Sequence, residues 1–102
     1  MQTFESVRHE YSPAHGRLIN NLLAKDLTFS GFVSRDGERI TTITATCGEV
    51  IISSSGQVEL FTENLDPYEP YDCGYHSWFL PNEDIDEADM FASFILRMTG
   101  DD

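Results

Sequence analysis

"LTFSGFVSRDGERITTITATC", residues 27–47, decides how this chain folds. Two runs rich in β-branched and aromatic residues, 27–34 and 39–47, flank Arg35-Asp36-Gly37-Glu38. An Asp-Gly pair between such runs is a strong short-range hairpin signal. Working outward, Cys47-Gly48-Glu49 reads as a second turn. "EVIIS" (49–53) and "QVELF" (57–61) then pair across the turn-rich stretch 53–56. "GYHSWFL" (74–80) adds a further strand after a connection broken by prolines. The pattern predicts an antiparallel meander of four to five strands.

Helices bracket the sheet. Ser12 is a good N-cap and Pro13 suits the first helical position. Leu18, Ile19, Leu22 and Leu23 form one apolar stripe, with Arg17, Asn20, Asn21 and Ala24 opposite. This predicts a helix over about 13–25, ending near Lys25 and Asp26. A second helix is predicted over about 84–98, capped by Asn82 or Asp84. Its acids, from Glu83 to Asp89, sit at the positive end of the helix dipole. Ile85, Ala88, Phe91, Ala92, Ile95 and Met98 share the face expected to lie on the sheet. Met90 and Phe94 project from the opposite side. Either residues 1–11 or 63–80 cover that pair, or another molecule does. Phe4, Val7 and Tyr11 have helical spacing, but residues 1–11 are too short a stretch to assign. The expected class is α+β, one domain over 1–102.

Charge is the strongest signal in the composition. The 102 residues carry a net charge of −12. Residues 1–58 hold six acids and five bases, whereas residues 59–102 hold twelve acids and one base, Arg97. Such a field repels nucleic acid and anionic membrane and draws in basic surfaces. No apolar run approaches the ~18 residues of a membrane span. The N-terminus lacks the charged-then-apolar pattern of a signal peptide. The two cysteines are too few for a disulfide scaffold. A cytoplasmic location is expected.

Motifs for chemistry are sparse. Cys73 and His76 have a spacing that could supply half of a zinc site, but no second pair completes it. No metal or other cofactor is therefore expected. Cys47, at the end of a predicted strand, reads as a small core residue. His15 falls on the apolar stripe of the first helix and reads as a packed, hydrogen-bonded histidine. "SSSG" (53–56) lacks the lysine and the helix of a phosphate loop. The run "NEDIDEAD" (82–89) lacks the glycine and ligand alternation of an EF-hand. No nucleophile elbow is present, and catalytic residues are not expected.

That leaves recognition of protein. The segment 63–84 concentrates acids and rings without a single lysine or arginine. Glu63, Asp66, Glu69 and Asp72 are candidate steering charges, joined by Glu83, Asp86 and Glu87. Tyr68, Tyr71, Tyr75 and Trp78 are candidate aromatic anchors. Pro67 and Pro70 stiffen the segment, which lowers the entropy lost on binding. In size, charge and lack of catalytic motifs, the chain resembles the anti-CRISPR and anti-restriction inhibitors of phages and mobile elements. That resemblance implies a DNA-mimic-like inhibitor of a basic, nucleic-acid-handling protein. Two alternatives stay open. One is an immunity protein that neutralises a basic nuclease toxin. The other is an acidic adaptor or subunit that docks through Met90 and Phe94, a pair that could also join a homodimer.

Overall fold

Asp36 and Gly37 have φ of 53° and 83°, the two left-handed residues that a tight I′ hairpin requires. They join β1 (Thr28–Arg35) to β2 (Glu38–Ala45) in the computed structural model, which describes residues 3–62 and 74–101. β3 (Gly48–Ser53), β4 (Gln57–Thr62) and β5 (Gly74–Phe79) follow. Each strand pairs antiparallel with the next, giving one sheet in the order β1-β2-β3-β4-β5. The second turn falls at Thr46 and Cys47, one residue before the predicted position. Cys47 is thus a half-buried turn residue rather than part of the core, because β2 ends at Ala45 and Gly48 opens β3.

The alternation along the strands fills one face of the sheet. Ile43, Val50 and Leu60 lie side by side across three strands, as do Thr41, Ile52 and Val58. All six are buried. Each aliphatic member contributes roughly 1.5–3 kcal/mol by leaving water. Two helices close this face. α2 (Pro13–Leu23) is capped by the Ser12 hydroxyl, which accepts from His15 N, and buries Leu18, Ile19 and Leu22. α3 (Ile85–Thr99) packs beside it and buries Ala88, Ala92, Ile95 and Leu96.

The N-terminal segment resolves into a short helix α1 (Phe4–Val7) and a single 3₁₀ turn, Arg8–Glu10. Thr3 and Ser6 form a capping box on α1. The segment brings the Phe4 ring to 5.9 Å from Phe29 and the Tyr11 ring to 6.4 Å from Phe32. Tyr11 Oη and Thr41 Oγ1 share a 2.7 Å hydrogen bond that satisfies two groups on the covered side of the sheet. Burial raises the Tyr11 pKa, against the opposing effects of Thr41 and Arg39.

α3 is rotated from its predicted setting. Leu96 and Thr99 are buried, whereas Met98 is 39% exposed and leaves the core face. Phe94 also changes sides. Its ring meets Trp78 at 5.2 Å and His76 at 5.6 Å, both on β5. The reason is that α3 has neighbours on two flanks. On one, Asp89 accepts hydrogen bonds from Arg17 and Asn21 of α2. On the other, Phe91 and Phe94 reach the rings of β5. Asn21, predicted to face away from the core, is drawn half-buried into the first of these contacts.

Candidate protein-binding surface

The surface that distinguishes this chain runs from β5 to the first turns of α3. On β5, alternation splits the residues between two faces. His76 and Trp78 turn toward α3 and build a ring cluster. The two rings stack at 5.8 Å, Trp78 stacks on Phe91 at 5.4 Å, and Phe94 meets both edge-on. Trp78 is therefore half-buried inside the molecule and holds α3 on the sheet. Tyr75, Ser77 and Phe79 turn to the open face. There Tyr75 is 54% exposed and Phe79 65% exposed. Tyr75 rests on Phe61 of β4, with centroids 4.9 Å apart.

Phe61 and Phe79 were not among the residues singled out from the sequence. Their signal was available: in 57–61 and 74–80 they share the strand parity of Tyr75, the side that no helix among the described residues covers. Val33 on β1 is exposed on the same open face.

At the end of β5 the chain turns acidic. Leu80 is buried and donates its N–H to Gly56 O at 2.8 Å. Glu83 and Asp86 are exposed, and Glu87 is half-buried. Asp84 caps α3 by accepting from Glu87 N at 3.1 Å. Glu87 is raised by partial desolvation and by the adjoining Asp84 carboxylate. Asp89 behaves oppositely: hydrogen bonds from Arg17 and Asn21 hold it below the usual carboxylate range. Asp89 is thus committed to Arg17, while Glu83 and Asp86 present their charge to solvent. Met90 stands 68% exposed one residue further along.

Arg8 and Arg39 lie elsewhere and are occupied. Arg39 donates to Glu10 and lies over the rings of Tyr11 and Phe32. Arg8 lies over Phe4 and donates to Asn20. Glu63, Asp66, Tyr68, Glu69, Tyr71, Asp72 and Cys73 lie outside the described residues. Of the residues singled out from the sequence, the structure brings together Trp78 and Phe94 in the ring cluster. Glu83, Asp86 and Glu87 sit together at the start of α3. It separates Met90 from Phe94.

A groove of about 490 Å³ runs between the N-terminal segment and α2, lined in part by Tyr11, Ser12 and Arg17. Each of these already has an internal partner: Thr41, the His15 amide and Asp89 respectively. Among the described residues, no three side chains converge in a way that could hold a metal ion. Nor is any helix among them long and apolar enough to cross a membrane. No family model, curated protein or solved structure matches the chain.

Proposed function

We propose that this chain is a small acidic inhibitor that occupies the basic nucleic-acid-binding surface of another protein. The observation that carries the proposal is the charge split: twelve acids against Arg97 alone in residues 59–102. A DNA duplex presents one negative charge per ~1.7 Å of axis, and a groove shaped for it also attracts a dense carboxylate array. Asp86 and Glu87 supply part of that array from the first turn of α3, with Glu83 in the turn before it, and Tyr75 supplies an exposed ring on β5. A phage or mobile element is the expected source of such a protein, and a host defence protein the expected target. The exposed Met90 supports a second reading, an acidic adaptor that docks through α3. The immunity-protein reading uses the same charge against a nuclease toxin.

The test starts from the partner recovered on the immobilised chain and measures association by stopped flow. Association should slow steeply between 0.01 M and 0.1 M salt, as the Debye length shrinks from ~30 Å to ~10 Å. Added nucleic acid should compete. Salt-insensitive association, or a ternary complex with nucleic acid bound undiminished, would sink the mimic reading and leave the adaptor.

A further inference from the structure

The two edges of the sheet differ in their openness to strand pairing. β1 slips register between Phe29 and Phe32 and ends in Arg35. Bulges and edge charges are the usual defences against strand addition. β5 has neither. Its six residues contain no Asp, Glu, Lys or Arg and no proline. Its register to β4 runs unbroken from Gln57↔Phe79 to Thr62↔Gly74.

Backbone direction follows from one bond. Leu80 N donates to Gly56 O, on the β4 side. In an antiparallel ladder the direction alternates, so Tyr75, Ser77 and Phe79 aim their N–H and C=O groups outward. Among the described residues no strand pairs with that outer side. The same three residues place their side chains on the open face, two of them large exposed rings. The edge therefore offers main-chain hydrogen bonds together with aromatic contact, the combination used in strand addition.

Charge selects the occupant. Glu83 follows Phe79 by four residues, at most ~14 Å of extended chain. Asp84, Asp86 and Glu87 come directly after it. We infer that the outer edge of β5 accepts an extended segment of a basic protein as a sixth, antiparallel strand. That segment carries β-branched or apolar side chains opposite Tyr75 and Phe79. Antiparallel pairing sets its N-terminal end beside the start of α3, so lysine or arginine precedes the apolar run. A second copy fits poorly. Two antiparallel β5 strands would bring the α3 acids of each copy toward the entry of the other β5, which Glu69 and Asp72 precede in sequence. The inference rests on the reading of this chain as a binder of basic protein and adds the mode of binding.

The experiment uses the full chain, isotope-labelled, and a probe peptide with a lysine-rich head followed by alternating valine and threonine. Binding should perturb the amides of Tyr75, Ser77 and Phe79. N-methylation of alternate peptide amides should weaken binding at least tenfold. Ser77→Pro should do the same, since it removes an outward donor that β4 does not use. The peptide N-methylation arm decides the matter even if Ser77→Pro disturbs the fold. Salt-sensitive binding that ignores N-methylation would overturn the edge while leaving the acidic reading standing. Equal binding of a glutamate-headed peptide would overturn the basic occupant and the acidic reading with it. A concentration-dependent dimer abolished by Ser77→Pro would transfer the edge to a second copy and overturn the proposal, as would failure of the peptide to bind at low salt.

Discussion

His15 sits buried on α2 with Nε2 at 3.2 Å from the carbonyl oxygen of Leu80. Burial lowers its pKa, more than the Leu80 hydrogen bond raises it. The native state therefore holds His15 neutral at a pH where the unfolded chain has begun to bind a proton. The resulting stability is present above the ordinary histidine pKa of ~6.5 and is lost as pH falls below it. Urea unfolding should show a falling midpoint as pH drops from about 7.5 to about 5.5, before most carboxylates titrate. His15→Leu should flatten that slope and cost about 1–3 kcal/mol at neutral pH, because the Leu80 carbonyl loses its donor. Asp26 raises a different question. Its φ is 68°, just beyond the end of α2, where an L residue is strained by ~1–2 kcal/mol. Its charge also faces the negative end of the helix dipole. Asp26→Gly relieves both, against ~0.5–1 kcal/mol of added unfolded-state entropy. A net gain of about 0.5–1 kcal/mol should raise the melting temperature by roughly 3–6 °C.

At the scale of the element, α3 carries two flanks and a cap. Its last turn ends at Gly100, with φ of 77°, and Asp101 N donates to Leu96 O at 2.9 Å in a Schellman closure. The Asp101 carboxylate then accepts from Thr46, pinning the helix end to the β2–β3 turn. Those hydrogen bonds lower the Asp101 pKa although burial acts to raise it. The rotation of α3 makes a quantitative forecast. Ile95→Ala empties a buried site and should cost about 2–5 kcal/mol. Met90→Ala should stay within about 0.5 kcal/mol, as surface changes do. Phe94→Ala should cost about 1–3 kcal/mol, since its half-buried ring supports Trp78 and His76. Denaturant unfolding of the three variants checks the order. A Met90→Ala loss equal to that of Phe94→Ala would contradict the observed rotation.

Over the whole molecule, self-repulsion and partner attraction come from the same charges. Asp66→Lys with Glu69→Lys changes the net charge from −12 to −8, two charges per replacement. If these acids steer a partner, the pair of substitutions should slow association and spare dissociation. Thermal stability should hold or rise at low salt, because less like charge is confined to one molecule. The gain should vanish near 1 M salt, where the Debye length is ~3 Å. Parallel melting curves and stopped-flow traces separate a binding role from a structural one.

The local signals in the chain were sufficient for the strands and for α2 and α3, though not for the short N-terminal turns of residues 4–10. Asp36-Gly37 imposes a tight turn through its own backbone preferences. Ser12-Pro13 starts a helix by satisfying or removing orphan donors. Strand alternation sorts side chains to two faces without reference to anything distant. The acidic bias of residues 59–102 is likewise a property of the sequence alone. What the sequence left open depends on contacts far apart along the chain. Which way α3 turns was decided by Arg17, Asn21 and Trp78, residues on other elements. Whether Phe94 faces a partner or the protein itself was decided by β5 lying beneath it. The exposure of Tyr75 and Phe79 and the place of β5 at the edge of the described sheet follow from strand order, because a strand carries the same residues at the edge or in the middle. Among the described residues, only the assembled sheet leaves one side of it without a neighbouring strand.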